Sequence, residues 1–354
     1  MKSEPGATLR NLPGPVLITG HTGFKGVWLT LLLERLNVAV IGYSLLPEAG
    51  SLYSRLERQG RIPEVYSDIL DASSLEKFIL IHRPSVVFHL AAQPLVLESY
   101  EKPVETFEVN VTGTANVLNA AFFSDSVIAV GAVTTDKVYR NINSGRRFTE
   151  CDPLEGKDPY SASKVGSEAV ISAFQNISEL KGGPKLISLR AGNVIGGGDF
   201  AKNRLIPDLI RAVEGKSSVK IRNLDSTRPW QHVLDPLFGY LLAIEASLQG
   251  NPQKAYNFGP NEESLSVSQV IDVFKRSIGA DVEILSEVGI QNLEKKLLGL
   301  SVELAMNELS WKPVLTQLEA IEKTFIWWKG VLDGTFTALE AVSLDIENYL
   351  SKLG

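Results

Sequence analysis

Residues 16–26 read VLITGHTGFKG, a short apolar run that passes directly into a segment with glycine at every third position. An amphipathic stretch from Val27 to Leu36 follows, so the pattern predicts a strand, a glycine turn and a helix in immediate succession. Glycine at positions 20, 23 and 26 permits a tight turn and lets backbone N–H groups at the helix N-terminus approach a pyrophosphate closely. The stretch therefore predicts dinucleotide binding, with a merely structural turn as the alternative.

Further apolar runs follow at intervals that suit alternating strands and helices. They predict strands at residues 39–43, 86–90, 127–133 and 186–189, with helices at 104–123 and 160–174. This alternation predicts an α/β protein with a Rossmann-type, doubly wound parallel sheet. The rhythm weakens after Gly192. We therefore expect residues 1–192 to form the cofactor-binding domain, with later segments returning to it, and residues 193–354 to form mainly a smaller C-terminal substrate-binding lobe.

The composition is that of an ordinary globular protein, with 354 residues, 44% of them hydrophobic and 21% charged. The net charge is −6 and the basic residues are spread along the chain, so nucleic acid is not an expected partner. The first residues lack the apolar core of a signal peptide, and no run reaches the ~20 apolar residues that cross a bilayer. No membrane association and a cytoplasmic location are expected. The single cysteine, Cys151, fits a reducing compartment, and none of the four histidines is spaced as a metal pair, so no metal site is predicted.

The second informative stretch runs from Val133 to Lys164 and contains TTDKVY and DPYSASK. Asp158 and Pro159 are typical of an N-cap and a first helical position, so Tyr160 is expected to begin a helix. Tyr160 and Lys164 then share one helix face, and the lysine is expected to lower the phenol's pKa from its usual ~10. The end of the preceding strand delivers Thr135, Asp136 and Lys137 to the same place. These residues are candidates for proton chemistry.

This pair of motifs resembles the extended short-chain dehydrogenase/reductase family, in its nucleotide-sugar 4,6-dehydratase branch. Three further segments carry the resemblance: HLAAQPLV at 89–96, RAGNVIGGGDF at 190–200 and RPWQHVL at 228–234. The set is most similar to the CDP-glucose group, because the dTDP-glucose enzymes have Thr-Asp-Glu where this chain has Thr-Asp-Lys at 135–137. Two departures concern loops and substrate preference: residues 140–152 form a shorter segment without the family's tryptophans, and residues 298–308 lack the usual aspartate.

The resemblance implies NAD as the cofactor and a nucleotide sugar, CDP-glucose, as the substrate. No arginine stands at the end of the second strand to accept a 2′-phosphate, so NAD is favoured over NADP, although the usual acidic residue is also missing from Ser44-Leu45-Leu46. The implied cofactor-binding residues are Gly20, Gly23, Phe24, Lys25, Gly26, Asp68, Ile69, Leu90, Ala91, Ala92, Gln93, Asn110, Tyr160 and Lys164. The implied substrate-binding residues are Gln93, Asn193, Arg204, Leu205, Ile206, Arg228 and His232. The implied catalytic residues are Thr135, Asp136, Lys137, Tyr160 and Lys164.

The implied reaction converts CDP-D-glucose to CDP-4-keto-6-deoxy-D-glucose and water. Tyr160 would take the C4 hydroxyl proton during oxidation, and Asp136 and Lys137 would then eliminate water across C5 and C6. Whether Lys137 acts as the base or stabilises the enolate electrostatically stays open. The alternatives are a dehydratase or epimerase that acts on another nucleotide sugar and, from a different class, a non-catalytic dinucleotide-binding regulator. The family also implies a homodimer through the helices predicted at 104–123 and 160–174.

Overall fold

The computed structural model describes residues 5–142, 145–221, 223–279, 282–286 and 299–353. The strands are β1 (Val16–Thr19), β2 (Val40–Ser44), β3 (Glu64–Tyr66), β4 (Val86–His89), β5 (Ala129–Thr135), β6 (Lys185–Ala191), β7 (Val194–Ile195), β8 (Val219–Ile221), β9 (Thr227–Arg228), β10 (Gln231–His232), β11 (Ala255–Phe258), β12 (Leu265–Ser266) and β13 (Ile284–Ser286).

The helices are α1 (Ala7–Arg10), α2 (Phe24–Arg35), α3 (Leu52–Arg55), α4 (Ala72–His82), α5 (Val96–Glu101), α6 (Pro103–Phe107), α7 (Gly113–Phe122), α8 (Pro159–Lys181), α9 (Leu205–Gly215), α10 (Leu234–Leu248), α11 (Val267–Ile278), α12 (Glu303–Leu309), α13 (Gln317–Leu332) and α14 (Ala338–Ser351). A π-helical turn (Glu108–Thr112) lies between α6 and α7, and a 3₁₀ turn (Asp136–Val138) follows β5.

Seven strands form one parallel sheet in the order β11-β6-β5-β4-β1-β2-β3. Val16 of β1 pairs with Val40 of β2 on one side and with Val86 of β4 on the other, so the strand order reverses at β1. This is the doubly wound order, in which ligands bind beyond the carboxyl ends of the strands at the reversal point. The predicted fold class is confirmed.

Alternate residues of the strands face opposite sides of the sheet, as the period of two requires. Leu17 and Val87 pack under α4 and α7, whereas Ile18 and Phe88 belong to the larger core that α2, α10 and the C-terminal helices cover. Each of these four side chains is fully buried. Helices on both faces therefore hold the sheet rigid, and the carboxyl ends of β1, β4, β5 and β6 open on one edge.

The residues YNFGP at 256–260 predict the end of a late strand that belongs to the substrate lobe, and the structure corrects this prediction. β11 instead pairs in parallel with β6, with Ala255 opposite Ser188, and forms the edge of the main sheet. The polar Asn257 in its middle is fully buried and hydrogen-bonded, so it did not interrupt the strand. A strand from late in the chain thus completes the seven-stranded sheet.

The predicted helix at 104–123 is divided into α6, the π-helical turn and α7. The predicted helix at 160–174 is α8, which begins with a capping box between Asp158 and Ser161 and has Pro159 as its first residue. It continues to Lys181, because no proline or glycine interrupts the sequence between Gly166 and Gly182. Among the helices of the described ranges, none is both long enough and apolar enough to cross a bilayer.

Candidate functional site

The turn after β1 is built from close backbone contacts. Gly20 has φ = +76°, and a Cβ placed on it would lie 2.8 Å from the backbone nitrogen of Ala91, in the loop after β4. A Cβ on Gly26 would lie 2.1 Å from the carbonyl oxygen of Gly20. Gly23 is exposed, and α2 has no side-chain cap at its N-terminus. The N–H groups of the first turn of α2 can therefore bind an anion such as a pyrophosphate.

The loop after β4 is fixed by Asn110, which lies in the π-helical turn. The Asn110 side chain accepts a hydrogen bond from the backbone N–H of Gln93 at 2.8 Å and donates to the Gln93 carbonyl at 3.0 Å. It also donates to the hydroxyl of Ser163 in α8 at 2.8 Å. The Gln93 side chain bonds within its own loop, to Leu95, and to Thr106 of α6. Asn110 therefore fixes the loop after β4 in its place between β1 and α8. The Asn110 amide is used for these contacts rather than presented to a ligand.

Thr135, Asp136 and Lys137 lie together where β5 ends. The Thr135 hydroxyl caps the 3₁₀ turn by accepting from the Lys137 N–H and donates to the Asp136 carboxylate at 2.9 Å. Asp136 is buried, and desolvation raises its pKa despite the opposing effects of Lys137, Thr135, Arg228 and Lys25. Lys137 is exposed, with its Nζ 5.9 Å from the centre of the Tyr160 ring. The structure therefore brings three predicted catalytic residues next to Tyr160.

Tyr160 and Lys164 are both buried on the inner face of α8. Desolvation raises the pKa of Tyr160 to about 12, although a hydrogen bond with Thr135 and the charge of Arg204 lower it. The expectation that Lys164 would lower this pKa below its usual value is therefore wrong, because burial dominates. Burial also lowers the pKa of Lys164 to about 8, against the charge of Glu168, and its Nζ donates to the Val133 carbonyl at 3.3 Å.

Cations surround the Asp136 carboxylate. Burial lowers the pKa of Lys25 to about 7, and the charges of Arg204 and Lys164 lower it further while Asp136 raises it. Arg204 lies 3.4 Å from Asp199, and Arg228 contributes to the field at Asp136. The predicted Lys25 and Arg228 thus act on the Asp136 carboxylate, while Arg204 pairs with Asp199 and acts on Lys25 and Tyr160. Such a cluster suits the phosphates of a dinucleotide and of a nucleotide sugar.

The remaining predicted residues lie at three places. Asp68 and Ile69 follow β3, where the Asp68 carboxylate accepts the N–H of Leu70 and Ile69 is buried under Gly113. Leu205 and Ile206 form the first turn of α9, and Ile206 is buried in the main core. The residues that are half-buried near the carboxyl edge of the sheet are Phe24, Leu90, Ala91, Ala92 and Asn193.

His232 does not reach the site, so its prediction as a substrate-binding residue is corrected. Its ring is fully buried, lies edge-on to Trp28 at 5.8 Å between ring centres, and has Nε2 3.9 Å from Asp345 of α14. The neighbouring strand β7 and the C-terminal helices cover it, which a sequence motif does not reveal. His89 belongs to an apolar run, which predicts a packed strand residue; it is buried in β4, and its ring nitrogens bond to the hydroxyls of Thr19 in β1 and Thr114 in α7.

The glycine run at 196–198 follows a strand, which predicts a ligand-binding loop at the carboxyl end of the sheet, but the run is buried. A Cβ on Gly197 would lie 1.9 Å from the Trp327 ring, and the Gly197 carbonyl accepts the indole N–H of Trp28 at 3.0 Å. Gly198 packs on Leu52. These glycines make room for side chains and not for a ligand. Trp327 and Trp328 are buried, which confirms their prediction as packing residues.

A buried polar network behind the site was missed. Arg190 of β6 donates to both carboxylate oxygens of Glu168 at 2.9 and 2.8 Å, and to the Tyr139 hydroxyl at 2.8 Å. The Tyr139 hydroxyl donates to the Asn257 side chain at 2.7 Å. One sequence feature could have indicated it: an arginine inside an apolar strand must be paired when it is buried. No group of three or more potential metal ligands occurs within the described ranges.

Comparisons with known proteins agree with this geometry. The family described as the NAD dependent epimerase/dehydratase family matches residues 16–259. The CDP-glucose 4,6-dehydratase of Salmonella typhimurium is 38% identical over 95% of this chain and 96% of its own length. The dTDP-glucose 4,6-dehydratase of Streptomyces venezuelae, solved with NAD, superposes with a TM-score of 0.76 at 25% identity, over 92% of this chain and 99% of that one.

A third similarity concerns the fold alone. The UDP-glucose 4-epimerase of Thermotoga maritima has a TM-score of 0.79 at 22% identity, over 90% of this chain and 99% of the other. The glycine turn, the tyrosine–lysine helix face and the match over most of the chain therefore point to one conclusion. The protein belongs to the NAD-dependent epimerase/dehydratase family.

Proposed function

We propose that the protein is an NAD-dependent nucleotide-sugar 4,6-dehydratase that converts CDP-D-glucose to CDP-4-keto-6-deoxy-D-glucose and water. The observation that carries the proposal is the arrangement at the end of β5, where Thr135, Asp136 and Lys137 lie against Tyr160. One hydroxyl group, one carboxyl group and one amine thus surround a phenol at the edge that follows the glycine turn. The Salmonella relative's name supports the choice of nucleotide.

The glycine turn and the loop after β4 would hold NAD, which supplies a hydride acceptor for C4 and returns the hydride to C6. Gly23 leaves the α2 N-terminus open, and Gly20 lets the two loops touch. Lys164 is buried on the α8 face beside the Val133 carbonyl, where its ammonium could donate to ribose hydroxyls. These residues bind and orient the cofactor, and none of them needs to form or break a covalent bond.

Tyr160 would take the proton of the C4 hydroxyl. Thr135 lies next to its buried phenol and can hold the C4 oxygen in place. The pKa of about 12 means that the phenolate is scarce at neutral pH until cations next to it stabilise the charge. Arg204 already acts in this direction. Transfer of the C4 hydroxyl proton to Tyr160 is therefore favoured only when these cations lie next to the phenol.

Asp136 and Lys137 would carry the elimination of water. The raised pKa of the buried Asp136 carboxyl group suits a general acid, which can protonate the leaving C6 hydroxyl. Lys137 is exposed and close to the Tyr160 ring, so its amine is free to approach C5 from the open side of the cleft. As a base it would remove the C5 proton, and as an ammonium it would stabilise the enolate.

Isotopic labels test the mechanism. Substrate with deuterium at C4 should give product with deuterium at C6, because one bound nicotinamide takes and returns the hydride. Turnover in heavy water should place solvent deuterium at C5. Tyr160→Phe should lower the rate by about 1,000-fold, because general-base catalysis supplies ~10²–10⁴. Loss of the C4 label to solvent, or stoichiometric release of reduced cofactor, would contradict a dehydratase.

Lys137→Met separates the two halves of the reaction. Oxidation should continue while elimination slows, so reduced nicotinamide should accumulate on the enzyme and be visible by absorbance. Lys312→Met is a suitable control, since Lys312 lies in a surface cleft beside Pro313, away from the strand ends. Side-by-side rates with CDP-, dTDP-, GDP- and UDP-glucose test the nucleotide. Comparable rates with dTDP-glucose would argue against the CDP assignment.

Two further expectations are part of the proposal. A homodimer through α6, α7 and α8 is supported by the exposure of Val104 and Phe107 of α6, which are 69% and 42% exposed in the single chain. Val104→Glu should then raise the dimer dissociation constant in sedimentation, and a chain that is monomeric at micromolar concentration would contradict the dimer. The division at residue 192 and the cytoplasmic location remain predictions.

A further inference from the structure

The Arg190 network, defined as Arg190, Glu168, Tyr139 and Asn257, connects the two halves of the site. Glu168 lies one turn after Lys164 on α8, the helix that also carries Tyr160. Tyr139 lies two residues after Lys137, directly behind the 3₁₀ turn. The network therefore touches both elements that carry the reacting side chains, although none of its members faces the cleft.

Arg190 is the member that contacts both elements. Its Nε and Nη2 donate to the two oxygens of Glu168, and its Nη1 donates to the Tyr139 hydroxyl and to the Glu150 carbonyl at 3.1 Å. The side chains of Arg190 and Glu168 are 7% and 5% exposed. A guanidinium is planar and rigid, so partners on its two edges are held at a fixed separation.

The two contacts of Arg190 are themselves held firmly. Thr134 and Ser188 each donate to Glu168 at 2.6 Å, so the carboxylate cannot rotate away. On the other side the Tyr139 ring stacks on Phe148 with 5.2 Å between ring centres and 4° between planes, and its hydroxyl donates to Asn257. A movement of α8 relative to the 3₁₀ turn would break several buried hydrogen bonds at once.

We propose that Arg190 is a positioning residue that fixes the distance between the oxidation pair, Tyr160 and Lys164, and the elimination pair, Asp136 and Lys137. The inference rests on the proposed function, because it assigns one step to each pair. The two steps must act on adjacent carbons of one bound sugar. A constant separation of the pairs lets both steps proceed without repositioning the substrate.

Tyr139→Phe tests this by removing the hydrogen bonds that join Arg190 and Asn257 to Tyr139, on the side of the elimination pair. The change removes one hydroxyl and leaves the ring stacked on Phe148, while Glu168 stays paired with Arg190. Elimination should slow about tenfold and oxidation should change less than ~2-fold, since misplacement by about 1 Å costs up to ~100-fold. Reduced nicotinamide should therefore accumulate during turnover, and incorporation of solvent deuterium at C5 should slow by the same factor.

Arg190→Lys removes the rigid connection and should slow both steps, because one ammonium cannot donate to Glu168 and Tyr139 in the same geometry. Tyr349→Phe is the matched control. Tyr349 is also buried and donates to a side chain, Asp235 at 3.1 Å, but it lies on α14. Its loss should lower the melting temperature and leave the ratio of the two rates unchanged.

Equal slowing of both steps in Tyr139→Phe, or no accumulation of reduced nicotinamide, would overturn the inference and leave the network a purely structural role. A failure of the proposed function looks different. In that case the unmodified protein itself would give neither reduced nicotinamide nor a ketone product with CDP-glucose.

Discussion

Two glycine-rich segments follow strands of this protein, and they serve opposite purposes. In the turn after β1, Gly23 is exposed at the N-terminus of α2. In the segment after β7, Gly197 is buried between Trp28 and Trp327. Both segments follow an apolar strand and contain three closely spaced glycines, so their sequences look alike. The difference shows that glycine marks close approach, and only the surroundings tell whether a ligand or a side chain approaches.

Gly23→Ala should have the largest effect, and it should act on binding alone. Among the described residues, the one atom within 4 Å of a Cβ at this position is the Gly20 carbonyl oxygen at 3.3 Å, so a backbone shift of a few tenths of an ångström accommodates it in the free chain. The methyl group would stand where a pyrophosphate must approach the helix N–H groups. We expect about 100-fold weaker NAD binding, or ~2.7 kcal/mol, by titration calorimetry. The melting temperature without NAD should be almost unchanged.

Gly197→Ala should do the reverse. The new methyl group would overlap the Trp327 ring, and overpacking of this kind typically costs about 1–3 kcal/mol. Urea denaturation should show the loss, while NAD binding to the folded protein should stay within ~2-fold of the original. Weaker NAD binding with unchanged stability would mean that a ligand, and not a side chain, approaches the Gly197 segment as well.

The contact partner of Gly197 sharpens the comparison. Trp327→Leu alone should destabilise the protein, because it leaves a cavity among buried side chains. Combined with Gly197→Ala it should cost about 1 kcal/mol less than the sum of the single changes, since the methyl group then occupies part of that space. Strict additivity in the double-mutant cycle would show that the Gly197 backbone, and not Trp327, resists the change.

Away from both segments, one buried carboxyl group should make the stability depend on pH. Asp235 of α10 accepts from the Val314 N–H and the Tyr349 hydroxyl, and burial raises its pKa to about 7 from a usual value of 3.8. The folded state therefore binds this proton more tightly than the unfolded state. Its stabilising effect is complete below about pH 4 and disappears as the pH rises through 7.

The free energy of unfolding should thus fall by ~1.4 kcal/mol from this group between pH 6 and pH 8. Asp235→Asn, which cannot ionise, should remove that slope in denaturation measured at several pH values. Asp272→Asn on the exposed side of α11 serves as the control and should leave it unchanged. An unaltered slope in Asp235→Asn would mean that the carboxyl group is not buried in solution as it is here.

Sequence patterns predicted the elements whose causes are local. The strand that starts at Val16 and the capped start of α8 at Asp158 each depend on neighbouring residues, and both were found. The expectation that Thr135 lies near Tyr160 followed from the predicted end of one strand and the predicted start of one helix. Such features need no knowledge of distant parts of the chain.

The features that were missed depend on contacts between distant residues. Arg190, Glu168 and Asn257 are each ordinary polar residues in the sequence, and only the packing of β6, α8 and β11 unites them. His232 stands in a motif that suggested the cleft, yet α14 covers it. The raised pKa of Tyr160 is likewise an effect of burial, which no spacing of residues expresses.

The π-helical turn at Glu108–Thr112 makes the local length of the chain important. Each π turn contains about one residue more than an α turn, and each added residue rotates the remainder of the helix by about 100°. Deletion of one residue within 108–112 would let the segment become regular α-helix without breaking it. Asn110 or the whole of α7 would then face a different direction, and the hydrogen bonds to Gln93 and Ser163 would be lost. In this helix the number of residues matters as much as their identity.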